Sequence, residues 1–126
     1  HWGVLYGYKP EKIMYSWGFY SSHSTGFFIK RNIAKKIGLY NLKYKYHADY
    51  DYFYRLIALK KMRGIATKKS ELVGIFRRGG FSSQISFYKK LKEEIRIRYD
   101  HGQNIFLLIL IFCNKFLRNI DQIFKK

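Results

Sequence analysis

The sequence predicts an α/β fold: a small mixed sheet flanked by helices and followed by C-terminal helices. Three observations carry this reading. Residues 25–29, Thr-Gly-Phe-Phe-Ile, form a short apolar run, and a helix-length segment follows at 33–37 with Gly38 as its stop. Tyr50, Phe53, Tyr54, Ile57 and Ala58 fall at the spacing of one apolar helix face. Residues 71–76 are a β-branched and aromatic run that breaks off in the loop Arg77-Arg78-Gly79-Gly80-Phe81-Ser82-Ser83. Strand-like and helical segments in alternation favour layered α/β architecture over a pure helical bundle.

The remaining elements follow in chain order. Residues 1–20 are aromatic and punctuated by glycine without clear periodicity, which suggests loop and short strand. Asn32 is the expected cap of the first helix, and Gly64 stands just beyond the basic last turn of the second. Ile85, Tyr88, Leu91, Ile95 and Tyr99 mark a third, amphipathic helix. Its other positions hold Lys89, Lys90, Lys92, Glu93, Glu94, Arg96 and Arg98, and Gly102 breaks it. Residues 105–113 are continuously apolar, yet far short of the roughly 20 residues that span a bilayer as a helix. Residues 1–102 are expected to form the main folded unit and residues 103–126 a C-terminal amphipathic helix.

Composition narrows the function class. With 126 residues, 48% hydrophobic and 20% aromatic, the chain lies far from the signature of disorder. A formal net charge of +17, from 25 Lys and Arg against 8 Asp and Glu, calls for an anionic partner: nucleic acid, anionic lipid or a nucleotide diphosphate. The single Cys113 excludes an intrachain disulfide framework, fits a reducing compartment, and reads as a small buried residue in its apolar run. No Cys and His spacing resembles a structural zinc site. The chain opens on His1 without a signal-peptide pattern, which suggests a truncated start.

The segment His47-Ala48-Asp49-Tyr50-Asp51 puts two carboxylates at a helix start, where the positive end of the macrodipole favours the ionised form. Residues two apart on a helix point roughly 200° apart, so Asp49 and Asp51 are not expected to chelate one metal ion together. One can face a cleft while the other serves the backbone. Acidic residues also commonly decorate a first helical turn with no further role.

Taken in order, His23-Ser24-Thr25 with Phe27-Phe28, Lys36-Ile37-Gly38-Leu39-Tyr40, Ala48-Asp49-Tyr50-Asp51 with Arg55, and Phe-Arg-Arg-Gly-Gly-Phe-Ser-Ser at 76–83 resemble the C-terminal half of family-two glycosyltransferases of the GT-A fold. Such enzymes build bacterial polysaccharides and glycolipids of the cell envelope. The resemblance runs from about His23 to Tyr99. It implies that Asp49 is the general base that deprotonates an acceptor hydroxyl while this attacks the anomeric carbon of a nucleotide-sugar, inverting that centre. A sugar hydroxyl is a poor nucleophile until a positioned base removes its proton.

The same resemblance makes His23, Asp51, Arg77 and Arg78 candidate substrate-binding residues, His23 near the cleft and the two arginines at the diphosphate leaving group. Two fixed charges beside two glycines suit such a phosphate. Arg55, one turn below Asp51, is expected to pair with a carboxylate. Asp49-Tyr50-Asp51 also matches the DxD pattern that holds metal and diphosphate in these enzymes. That motif ordinarily follows a buried strand, whereas Lys43-Tyr44-Lys45-Tyr46-His47 reads as a basic surface loop. The DxD motif, most ligands of a divalent metal (Mg or Mn) and the donor-binding half are therefore expected upstream of His1, leaving the isolated chain inactive. Expected partners are a nucleotide-sugar donor, a glycan or lipid-linked acceptor and an anionic membrane surface at the cytoplasmic face. Competing readings are a nucleic-acid-binding module, for which no RNP, KH, zinc-finger or helix-turn-helix signature is present, and a peripheral membrane module without catalysis.

Overall fold

The computed structural model describes residues 9–15, 26–68, 70–71, 74, 80 and 84–120. Within them every regular element is helical: a 3₁₀ turn at Pro10–Met14, α1 at Arg31–Ile37, α2 at Ala48–Tyr54 running into a π-helical turn at Arg55–Leu59, α3 at Phe87–Asp100 and α4 at Ile105–Arg118. No strand occurs among the described residues. The expected α/β fold with its mixed sheet is therefore corrected to an all-helical one. Of the first expected strand, 25–29, the described residues Phe27, Phe28 and Ile29 carry no regular structure, and neither do Glu71 and Gly74 of the second. The physical reason is that a short apolar run specifies burial, not pairing. Phe27 meets its burial requirement by packing its ring on Phe53, centroids 4.4 Å apart.

The chain divides into two compact units, one from His1–Tyr40 and Tyr52–Arg77, the other from Asn41–Asp51 and Arg78–Lys126. The first turn of α2 lies in the second unit and its remainder in the first.

In the first unit, Phe53, Tyr54 and Ile57 are buried as the periodicity predicts, with Tyr52 and Leu56 buried beside them. A helix apolar on every side requires cover on every side. The 3₁₀ turn packs its buried Ile13 toward the π-helical turn. The first helix starts two residues earlier than expected, with Lys30 rather than Asn32 at the cap; Asn32 Oδ1 instead accepts from the Ile33 N–H at 2.9 Å. Gly38 stops it with φ 83°, a left-handed conformation that glycine adopts at low cost.

Where a carboxylate partner was expected for Arg55, the described residues supply backbone carbonyls. Its guanidinium donates to the Ile37 and Leu39 carbonyls at 2.7 and 2.8 Å, satisfying acceptors at the end of α1, and lies over the Tyr52 ring, which stacks on Tyr40. Arg55→Met is expected to cost about 2 kcal/mol of unfolding free energy, measured in urea, because two charge-assisted bonds to backbone carbonyls are lost together. The helical run ends at Lys60, and Lys61 takes the left-handed turn with φ 49°, so Gly64 is not the stop.

In the second unit α3 and α4 pack as a hairpin. Ser86 caps α3 through the Lys89 N–H, and Asn104 caps α4 through the N–H groups of Phe106 and Leu107. Between them Gly102, at φ 75°, donates to the Tyr99 carbonyl and ends α3 as predicted. The buried face of α3 keeps Leu91 of the predicted one but is rotated away from Tyr88 and Tyr99. Leu91, Glu94, Ile97 and Arg98 are buried while Tyr88 and Tyr99 are exposed. The rotation has an electrostatic cause. Lys115 of α4 donates to both Glu94 oxygens at 2.6 and 2.7 Å, Arg98 donates to Glu94 at 2.8 and 3.0 Å, and Arg98 also reaches Gln103 at 3.0 Å. Polar groups that find every partner inside can replace an apolar seam. Cys113 falls on the outward face of α4 and is exposed, correcting the expectation that it is buried.

Candidate active site

The loop that leads into α2 is held by carboxylates of α3. Glu93 accepts from three successive backbone N–H groups, those of Lys45 at 3.1 Å, Tyr46 at 2.6 Å and His47 at 2.8 Å. Two turns further on, Asp100 accepts from Lys43 Nζ at 2.6 Å and Tyr44 Oη at 2.7 Å. These donors hold the Asp100 carboxyl below its usual range, and burial with the Asp100 contact pushes the Tyr44 phenol up. The segment that reads as a basic surface loop is thus docked, with Tyr44 and His47 buried and only Lys43 and Lys45 turned outward. Burial pushes the His47 imidazole below its ordinary pKa, so it is neutral at pH 7.

This clamp fixes where α2 begins and which way its first turn faces. Asp51 is fully buried, and its Oδ1 lies 2.7 Å from Nε2 of His101, the residue that ends α3. Asp49, two residues earlier, is half-buried and accepts one hydrogen bond, from the adjacent Tyr50 N–H at 2.8 Å. The two carboxylates diverge as helix geometry requires. Asp51 is a bridge between α2 and α3, whereas Asp49 keeps acceptor capacity at a partly open position. Tyr50 between them is buried under the Arg98 guanidinium, 5.3 Å from the ring centroid.

Of the five candidate residues, the structure therefore gives Asp49 and Asp51 opposite surroundings. His23, Arg77 and Arg78 lie outside the described residues, so the arrangement of the expected leaving-group loop with Asp49 does too. His101 and Glu93 are the residues that sequence reasoning missed. His101 has no spacing partner in the chain, and Glu93 looks like an ordinary solvated position on an amphipathic helix. The one available signal was the seven-residue interval between Glu93 and Asp100, which places two acids on one side of α3.

Asp51→Leu is expected to lower the unfolding free energy by about 1–3 kcal/mol, since His101 loses its acceptor at a largely buried site. Thermal denaturation followed by circular dichroism measures the change. Among the described residues no three His, Cys, Asp or Glu side chains converge on one point, so they build no divalent-metal site. Comparison of the chain with protein-family models, with curated proteins and with solved structures finds no match.

Proposed function

We propose that the chain belongs to a glycosyltransferase that moves a sugar from a nucleotide-sugar to a glycan or lipid-linked acceptor with inversion, in polysaccharide or glycolipid biosynthesis. The observation that carries the reading is the division of labour within Ala48-Asp49-Tyr50-Asp51: one carboxylate is consumed by structure, the other left partly open on a clamped helix start. In this role Asp49 accepts the proton of the acceptor hydroxyl as its oxygen bonds to the anomeric carbon and the nucleotide departs with the bonding pair. The loop fixed by Glu93 and Asp100 supplies what a base needs besides basicity, a constant position. Arg77 and Arg78 are proposed to meet the charge of the departing diphosphate, and His23 and Asp51 to support acceptor binding, Asp51 through its hold on α2.

The test is made in the full-length protein. Asp49→Asn is expected to bind nucleotide-sugar as the parent does and to lose transfer. A variant that keeps transferring sugar, or that loses donor binding instead, removes Asp49 from the role of base.

A further inference from the structure

The second unit is apolar where it meets solvent and charged where it is closed. Along α4 the inward positions are Leu108, Ile111 and the cation Lys115, whereas the outward stripe is Phe106, Leu110, Cys113 and Leu117. Phe106, Leu110 and Leu117 are 74%, 67% and 66% exposed, and Tyr99 on neighbouring α3 is 63% exposed. A groove between the two helices continues this surface, lined by Ile105, Ile109 and Phe112 of α4 and by Lys92, Arg96 and Tyr99 of α3. A soluble helix ordinarily shows the reverse arrangement.

The charge around this surface is of one sign. All three acidic side chains of the hairpin are engaged: Glu93 by backbone N–H groups, Glu94 by Arg98 and Lys115, Asp100 by Lys43 and Tyr44. Lys89, Lys92, Arg96 and Arg118 are exposed, and α4 carries no acidic residue. A second copy of the chain, joined face to face, would set these cations against their own counterparts, because a two-fold interface is self-complementary. Phe112 and Phe116 stack on each other, centroids 5.8 Å apart, and the outward stripe carries the single ring of Phe106, whereas single-stranded nucleic acid stacks successive bases on several open rings. An anionic bilayer surface satisfies both halves of the pattern, accepting Leu, Ile and Phe at the acyl boundary and Lys and Arg at the headgroups.

We propose that the outward faces of α3 and α4 dock on an anionic lipid bilayer, with α4 lying in the plane of the headgroups. Fourteen residues make α4 roughly 21 Å long, short of the roughly 30 Å hydrocarbon core, and no helix of the described residues is long and apolar enough to cross a membrane. Phe106, Leu110 and Leu117 enter the interface while Lys92 and Arg96 meet phosphates beside them. Docking of this kind is independent of the reaction proposed above, since it needs neither donor nor acceptor.

The probe is vesicles of phosphatidylcholine with and without phosphatidylglycerol, read by co-sedimentation. The protein is expected to bind the phosphatidylglycerol vesicles and to be released by salt. Lys89→Glu with Lys92→Glu should weaken this binding by about tenfold or more, on the scale expected for basic residues near an anionic surface. Leu110→Glu with Leu117→Glu should reduce it to the level of pure phosphatidylcholine with helicity unchanged, because both positions are exposed. An environment-sensitive fluorophore on Cys113 should shift to the blue on adding the anionic vesicles. Equal binding by parent and both variants, or an unshifted fluorophore, overturns the proposal. So does a Leu110→Glu, Leu117→Glu protein that loses helicity, which would mean the face is covered within the protein, or one that only dissociates an oligomer, which would make the occupant a second copy.

Discussion

Replacing Glu94 by Gln is expected to cost about 3–5 kcal/mol of unfolding free energy, the range for leaving buried charge without its counter-ion. Glu94 is the anion that the cations Arg98 and Lys115 share, and all three side chains are buried. Removing its charge takes from both buried cations the carboxylate they share. Removing Lys115 instead, as Lys115→Met, leaves Glu94 paired with Arg98, and the loss should stay within about 1 kcal/mol because the long apolar stem is replaced in kind. The cluster is therefore predicted to be asymmetric, intolerant at the anion and tolerant at the lysine.

The pH dependence follows with a definite sign. Burial outweighs the attraction of Glu94 and brings the Lys115 ammonium down from 10.5 to about 8. Between those values the unfolded chain binds a proton that the folded chain has released, so stability rises with pH from about 8. Above pH 10 the Tyr44 phenol, held above its ordinary 10.0, acts in the opposite direction. Urea unfolding between pH 8 and 10 should thus show a rise in the parent that is missing in Lys115→Met. A flat profile in the parent would mean that Lys115 keeps its proton throughout.

The second large effect is on rate. Asp49→Asn in the full-length protein is expected to lower kcat by about 10²- to 10⁴-fold, the usual contribution of a positioned base. Its stability should be close to that of the parent, because the amide oxygen can still accept from the Tyr50 N–H and no other element is tied to the side chain. Asp51 is its mirror. Asp51→Leu breaks the bond to His101 and should move the melting temperature far more than the rate of the molecules that remain folded. An equal fall in stability for both variants would place Asp49 in the same structural role as Asp51.

Much of the helical framework was legible in the chain. The run at 105–113 reads as one element because its nine residues are continuously apolar, and it continues as α4 to Arg118 with Asn104 as its cap. Gly38 and Gly102 mark stops because the left-handed turn at each asks for a residue without a side chain. The opposed directions of Asp49 and Asp51 follow from helix geometry alone. What failed depends on partners distant in sequence. The inward face of α3 is decided by Lys115, 21 residues beyond Glu94, and a charged residue read without its partner is assigned to solvent. Likewise the clamp on α2 depends on Glu93, 46 residues from His47, and Asp51 on His101, 50 residues away. The apolar runs at 25–29 and 71–76 were read as strands because burial and pairing leave the same trace in a short segment.

The most direct measurement of the central claim, that Asp49 serves a single in-line displacement, is the anomeric configuration of the product. The full-length protein is incubated with nucleotide-sugar and acceptor, and the new linkage is read from the anomeric proton coupling in the NMR spectrum before any further turnover. One displacement assisted by one base predicts a linkage opposite in configuration to the donor, formed together with free nucleotide. A linkage with the donor's own configuration, or no sugar transfer from any nucleotide-sugar supplied, contradicts the account.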